Sequence, residues 1–208
     1  MALLGMQDMI SKAIENNEYS VGIFFDLAKA FDTVNHSILL KKLENYGIRG
    51  VLLKWFHSYF DRRTQRVMCN GALSEVGLIG YGVPQGSNLG PLLFLLYIND
   101  LANVSSTLFF ILFADDTNVF CSHKSWQTLV KTVNAELTCV ADWFSANRLT
   151  LNLDKTNFIL FKSHRKVTPR DNLSLLINDV PITQVESTKF LGVHVDQHLT
   201  WNQHINHI

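Results

Sequence analysis

Paired cysteines, a charge excess of either sign and a long apolar run are all missing from this chain. The 3 cysteines, Cys69, Cys121 and Cys139, are scattered and odd in number, with no C-x-x-C pair. That spacing excludes a disulfide framework and a zinc ribbon, and it points to a reduced intracellular compartment, nucleus or cytoplasm. Four histidines near the end, His194, His198, His204 and His207, follow no zinc spacing either. The longest apolar stretches, Leu92 to Ile98 and Leu108 to Ala114, fall far below the roughly 20 residues a membrane helix needs. Asp8 and Lys12 interrupt any secretory leader. The expectation is a soluble protein, neither secreted nor membrane-spanning. Basic and acidic side chains number 18 each, so the chain carries no net positive charge to advertise a phosphate-rich partner. Repeats, low-complexity tracts and linkers are also lacking.

What is present is apolar content. With 47 % hydrophobic and 17 % charged residues over 208 positions, the chain can bury a core, as one compact domain or one and a partial second. Helical spacing predicts a helix from Ala2 to Ile14, another from Leu27 to Tyr46 and a third from Val51 to Phe60. Val21 to Phe25 has the length and composition of a buried strand. Val67-Met68-Cys69 reads as a strand turning at Asn70-Gly71. Pro91 is placed to open a helix carrying Leu92 to Leu101. Leu108 to Phe113 and Thr117 to Cys121 read as strands joined by Ala114-Asp115-Asp116. Trp126 to Asn147 predicts a long amphipathic helix. Leu149 to Asn152 and Asn157 to Phe161 read as strands, and the remainder as short strands and turns. The fold class expected is α+β with a largely antiparallel sheet.

Chemistry concentrates where apolar strands end. Asp26 closes one such strand, and Asp115-Asp116 sit at the tip of a strand–turn–strand. Taken singly, Asp26 reads equally well as a helix N-cap, and Asp-Asp is ordinary turn chemistry. Taken together, two central strands would bring their terminal carboxylates side by side, where they repel unless a cation neutralises them. Hard oxygen ligands of this type suit Mg²⁺, which shares its shell with water and substrate phosphates. Two such ions about 4 Å apart serve phosphoryl transfer. Arg62, Arg63 and Arg66 form the densest basic cluster and read either as phosphate contacts or as a solvated turn.

Five stretches in order resemble the motifs of reverse transcriptases from non-LTR (LINE-type, jockey-like) retrotransposons. Phe25-Asp26-Leu27-Ala28-Lys29-Ala30-Phe31-Asp32-Thr33-Val34-Asn35-His36 is similar to the first catalytic motif. Gly82-Val83-Pro84-Gln85-Gly86-Ser87 with Leu89-Gly90-Pro91 resembles the nucleotide-binding motif. Phe113-Ala114-Asp115-Asp116-Thr117 resembles the second catalytic motif, with Phe113 where many relatives carry Tyr. Leu151-Asn152-Leu153-Asp154-Lys155-Thr156 and Phe190-Leu191-Gly192-Val193 resemble the two that follow.

The resemblance covers residues 18–204 and implies a right-hand polymerase palm with partial fingers, its central antiparallel sheet packed on helices. It implies that the N-terminal fingers and the thumb are absent from residues 1–208. Asp26, Asp115 and Asp116 would hold two Mg²⁺ ions, with Mn²⁺ a possible substitute. Phe31 would be the gate against a ribose 2′-OH, Gln85 and Gly86 would lie near the incoming nucleotide, and Lys155 would protonate the leaving pyrophosphate. Phe190, Leu191 and Gly192 would form the primer grip. The implied partners are an RNA template, a DNA primer and deoxynucleoside triphosphates. Two rival readings remain open at this level. One is a truncated, inactive element remnant that at most binds nucleic acid. The other is a phosphate-accepting domain built on an open parallel sheet.

Overall fold

The computed structural model of the chain describes residues 2–163, 165–167 and 174–207. In chain order, α1 (Ala2–Glu15) and β1 (Tyr19–Phe25) lead through a 3₁₀ turn (Ala30–Asp32) to α2 (His36–Asn45) and α3 (Gly50–Phe60). Short strands follow as β2 (Thr64–Gln65), β3 (Met68–Cys69), β4 (Ala72–Leu73) and β5 (Gly77–Leu78), then α4 (Leu89–Ile98) and a 3₁₀ stretch (Asn99–Val104). Next come β6 (Phe109–Phe113), β7 (Asp116–His123), α5 (Trp126–Ala146) and β8 (Asn157–Phe161). The last elements are β9 (Leu176–Ile177), β10 (Val180–Pro181), β11 (Thr183–Gln184), β12 (Ser187–Phe190), β13 (Val193–Asp196) and α6 (Asn202–Ile205). The short strands and turns expected for the end of the chain fall partly on residues 168–173, outside the described residues. Two compact units result: residues 1–28, 101–145 and 150–208 form the first, residues 29–100 with 146–149 the second.

The first unit is built on a five-stranded sheet in the order β11-β8-β1-β7-β6. Every pairing is antiparallel except β11 with β8. The fold is α+β with a mostly antiparallel sheet, as expected, and lacks the parallel sheet that the phosphate-accepting alternative requires. β1 lies at the centre because its residues are apolar on both faces, and a strand buried on both sides has no face to give to water. Period-two alternation then sorts its side chains. Phe24 meets Phe120 and Phe190 edge-on, with ring centroids 5.9 and 5.8 Å away, in a cluster that α1 completes with Met6 and Ile10. Phe25 points the other way, to Phe144 of α5 at 5.8 Å. Gly22 sits between Phe120 and Phe161, and a Cβ there would come within 2.6 Å of the Phe120 ring. The absent side chain is the space those rings fill. Overpacking of that kind costs about 1–3 kcal/mol.

The second unit packs α2 against both α3 and α4, and Leu93, Phe94, Tyr97 and Ile98 of α4 are buried. Tyr97 is its polar hub. The hydroxyl donates to the Asn147 carbonyl at 2.5 Å and accepts from the Asn35 amide at 3.4 Å. Lys42 reaches the Tyr97 carbonyl at 2.6 Å and Asp100 at 2.5 Å. Burial pulls the Lys42 ammonium below its ordinary value, against the opposing pull of Asp100.

Two expectations are corrected here. The helix predicted from Leu27 to Tyr46 begins only at His36. Before it, Lys29 adopts a left-handed φ of 51°, and the carbonyls of Phe31 and Val34 accept the amides of Val83 and Gly82 at 2.8 Å. Carbonyls already engaged by a distant loop cannot continue a helical ladder. Asn35 then starts α2 properly, its Oδ1 accepting the Ile38 amide at 3.0 Å. Leu149 to Asn152 is likewise no regular strand, and Leu151 makes a single bridge to Leu27.

Asp196, at the end of β13, is a buried carboxylate the sequence reading passed over. It accepts from the amides of His198, Thr200 and Trp201 and from the Thr200 hydroxyl, all at 3.0–3.2 Å. Burial alone pushes its carboxyl up, but these donors outweigh it and the net value lies below the ordinary one. A carboxyl lowered by folding adds stability above its unfolded value and loses it as pH falls through the folded one. Asp196→Asn should therefore cost roughly 1.5–3 kcal/mol near neutral pH. Thermal melts across a pH series should show the gap between variant and parent closing on acidification.

Candidate active site

The three aspartates singled out by sequence all belong to the first unit, at one edge of its sheet. The β1–β7 register pairs Phe25 with Thr117, so one further step sets Asp26 opposite Asp116. The β6–β7 register pairs Phe113 with Asp116, leaving Ala114 and Asp115 as a two-residue turn. Ala114 takes a φ of 53°, a conformation glycine normally supplies and one that costs a residue with a Cβ about 1–2 kcal/mol. Strain of this kind collects at functional turns, where the flanking strands hold it in place. Asp115 and Asp116 are exposed and Asp26 half-exposed.

Their charges feel one another. Partial desolvation of its carboxyl first, then the negative charges of Asp115 and Asp26, push the pKa of the otherwise exposed Asp116 up from its ordinary value. Among the described residues no group of three or more His, Cys, Asp or Glu side chains is arranged to hold a metal ion. Mg²⁺ requires no such cage, because it binds through one or two carboxylates with water and substrate phosphates completing its shell. Exposed, mutually repelling hard oxygen donors fit that description.

Asp26 is held from both sides of its peptide by residues 150–156, which also lie in the first unit. Its carbonyl accepts the Asn152 amide at 2.8 Å, and Ala28 donates to the Thr150 carbonyl at 2.9 Å. Its own amide reaches Thr156 Oγ1 at 3.3 Å, while that hydroxyl donates to the Asn152 carbonyl at 2.9 Å. Thr156 is fully buried. These bonds also rule out Asp26 as a helix N-cap, since no helix starts there. Thr156 lies inside the motif Leu151 to Thr156, which implies no task for it. The available signal was a hydroxyl residue just ahead of the apolar run of β8. Lys155, one position earlier, is exposed in the turn, and no described residue bonds its ammonium.

Phe190 pairs with Val193 across a tight turn in which Leu191 and Gly192 take φ values of 48° and 82°. Its ring is buried against Phe24, so it anchors the turn, while Leu191 is half-buried and Gly192 exposed. His194, His204 and His207 lie near one another, with His194 4.7 Å from His207 and 6.5 Å from His204 between ring centroids. His198 turns instead to the Lys162 carbonyl.

Phe31, Gln85 and Gly86 belong to the second unit. Phe31 is half-buried, its ring 4.7 Å from that of Phe94. Gln85 is exposed and donates to Asp32 Oδ1 at 2.9 Å. Gly86 takes a φ of 81°. The loop is locked to residues 31–36: His36 Nε2 lies 2.7 Å from the Gly82 carbonyl, and a Cβ on Gly82 would come within 2.8 Å of the Asp32 carbonyl. Asp32 and Gly82 lie inside the first catalytic and nucleotide-binding motifs, but the sequence does not signal this structural task for either. A cavity of about 640 Å³ opens beside them, lined by Asp32, Arg63, Tyr81 and Gln85 among others.

The family described as reverse transcriptase (RNA-dependent DNA polymerase) matches residues 2–195. The chain is 29 % identical over 205 residues to a probable RNA-directed DNA polymerase from transposon X-element of Drosophila melanogaster, covering 97 % of this chain and 22 % of that protein. It is 29 % identical over 204 residues to the RNA-directed DNA polymerase from mobile element jockey of the same species, covering 95 % and 22 %. It is 31 % identical over 209 residues to the corresponding probable enzyme from transposon BS, covering 94 % and 22 %. The chain thus spans about a fifth of the length of these curated relatives. Among solved structures, apo telomerase from Candida Tropicalis, truncated from its C-terminal domain, superposes with a TM-score of 0.61 at 15 % identity, over 95 % of this chain and 39 % of that one. Telomerase of the same organism with a TWJ fragment of telomeric RNA gives 0.63 at 14 %, over 96 % and 32 %. These likenesses show a shared fold.

Thr156→Val keeps the shape of Thr156 and removes its hydroxyl, stranding the Asp26 amide in a partly buried position. We expect a loss of about 1–3 kcal/mol in chemical denaturation. Thr156→Ser, which keeps the bonds, should recover most of it.

Proposed function

The chain belongs to the reverse transcriptase (RNA-dependent DNA polymerase) family, and from that premise we propose that it is the palm, with part of the fingers, of an RNA-directed DNA polymerase. The observation that carries the reading is the convergence of Asp26 with Asp115 and Asp116 at one sheet edge, on residues that resemble both catalytic motifs. Residues 18–204 are the span to which the reading applies.

The reaction is in-line attack of a primer 3′-OH on the α-phosphate of a deoxynucleoside triphosphate, with an RNA template directing the choice. One phosphodiester bond forms and pyrophosphate leaves. Divalent cations, Mg²⁺ or Mn²⁺, would when bound supply activation of the attacking hydroxyl and neutralisation of the charge that builds on phosphate. Asp26 and Asp115 would bind them, and Asp116 would add a third carboxylate, its proton affinity raised first by burial and then by its two acidic neighbours. Thr156 and Asn152 fix the Asp26 peptide, so the backbone from which its carboxylate projects need not be positioned anew in each cycle.

The remaining roles rest on motif position. Phe31, backed by Phe94, would exclude a 2′-OH by the bulk of its ring. Gln85 and Gly86 meet the incoming nucleotide, where a glycine lets backbone approach closely. Lys155 is free to swing toward the leaving pyrophosphate and protonate it. Leu191 and Gly192 hold the primer end, with Phe190 as their anchor.

Primer extension on an RNA template, with Mg²⁺ and deoxynucleotides, tests the reading directly. The parent should extend and Asp115→Asn should fall by at least about a hundredfold while keeping its fold. Equal extension by both would remove the site assignment, and none by either folded protein would leave an inactive remnant. Phe31→Ala should narrow the preference for deoxynucleotides over ribonucleotides, measured as a ratio of kcat/KM. An active variant with the parent's ratio would remove the gate.

A further inference from the structure

The exposed side of α3 carries a stack of flat groups that the proposed chemistry does not use. Trp55 and Tyr59 lie one helical turn apart with rings 5.5 Å apart and only 19° from parallel. The chain then leaves the helix at Asp61, and Arg62 takes a φ of 49°. Arg63 comes back over the Tyr59 ring, its guanidinium carbon 4.9 Å from the centroid. The Arg63 carbonyl accepts the Ile79 amide at 2.8 Å, which pins that return. From below, the column rests on buried rings: Trp55 stands edge-on to Phe56 and Tyr59 edge-on to Phe60, each at 5.1 Å. Trp55 is nevertheless 48 % exposed, beside Val51 at 86 % and Leu52 at 53 %.

A rigid aromatic column open to water calls for an occupant, and local charge says which kind. Residues 49–66 hold Arg49, Lys54, Arg62, Arg63 and Arg66 against the single acid Asp61, in a chain whose overall charge is zero. Asp61 is mostly exposed and only 3.9 Å from Arg62, so it offsets one cation weakly. Planar rings interleaved with guanidinium groups match a strand whose bases are unpaired and whose phosphates are close by. A protein partner would use the aromatics but would have no comparable need for five cations. Arg63 also lines the cavity shared by Asp32, Tyr81 and Gln85. Column and cavity therefore meet at one side chain within the second unit.

We infer that the Trp55–Tyr59–Arg63 column is a stacking platform for single-stranded nucleic acid, seating an unpaired stretch of the template. The identification of that strand as template rests on the polymerase reading. The platform itself does not, because stacking needs neither metal nor nucleotide.

The test is binding of a fluorescein-labelled single-stranded RNA of about 12 nucleotides, a length typical of such sites, to the full chain by anisotropy, without Mg²⁺ or deoxynucleotides. Trp55→Ala should weaken binding about tenfold, the loss expected of one stacked base. Trp55→Phe, which keeps a ring, should remain within a few-fold of the parent. Arg63→Gln should lower the salt dependence by about 0.7, the value for one phosphate on a single strand. A blunt RNA–DNA duplex should be bound with little dependence on Trp55. On the unaltered chain, a 4-thiouridine strand should photocrosslink to the peptide holding residues 55–63, which keeps the test independent of how well the variants fold. Unchanged single-strand affinity in folded Trp55→Ala, a crosslink elsewhere, or self-association of the chain abolished by Trp55→Ala would each overturn the platform. Failure of primer extension with Trp55-dependent binding intact would instead fall on the polymerase reading alone.

Discussion

Mutual repulsion among three carboxylates is the constraint around which the first unit is organised. Asp26, Asp115 and Asp116 would move apart if their backbones were free, and among the described residues no side-chain bond holds them together. What holds them is the ladder behind them: β1 paired on both sides, with Phe25 opposite Thr117 and Phe113 opposite Asp116. The apolar faces of β1, pressed between the α1 cluster and Phe144 of α5, fix that ladder. Burial energy is thereby converted into a local concentration of negative charge. The strained Ala114 turn and the clamped Asp26 peptide are two further expressions of the same requirement.

The second unit solves a different problem, which is to hold an irregular loop in place without a sheet. It does so by cross-bonding. Val34 and Phe31 give their carbonyls to the amides of Gly82 and Val83, and Asp32 takes the side chain of Gln85. Gly82 permits the close approach. Tyr97 and Lys42 tie α4 to α2 beneath, so a polar network does for this unit what aromatic packing does for the other. Networks of this type rigidify when every member is bonded.

How much of this could be read beforehand depended on the range of the interactions. Asp26, Asp115 and Asp116 were legible because each ends an apolar run, and two apolar runs ending in acid imply adjacent strands. The hairpin at Asn70-Gly71 and the long α5 were legible for the same local reason. The 3₁₀ turn at Ala30–Asp32 was not, because the amides that displaced a helical ladder belong to Gly82 and Val83, far along the chain. Nor was Thr156, whose worth lies in reaching Asp26, or Asp196, which looks like any turn acid until four donors are seen around it. The aromatic column on α3 escaped notice because a Trp and a Tyr at helical spacing read as core. Only exposure separates a platform from a packing face.

The central place of β1 also bears on how the chain is made. Its sheet partners β7 and β8 lie roughly a hundred residues or more downstream, which makes this a topology of high contact order and slow assembly. During synthesis Val21 to Phe25 therefore emerges with only α1 made before it, long before β7, β8 or α5 can cover it. That stretch has high β propensity and no charge until Asp26, the profile of a segment prone to sticking to its own kind. The acid that serves the site in the finished fold is, in the nascent chain, the first charged residue to break that run.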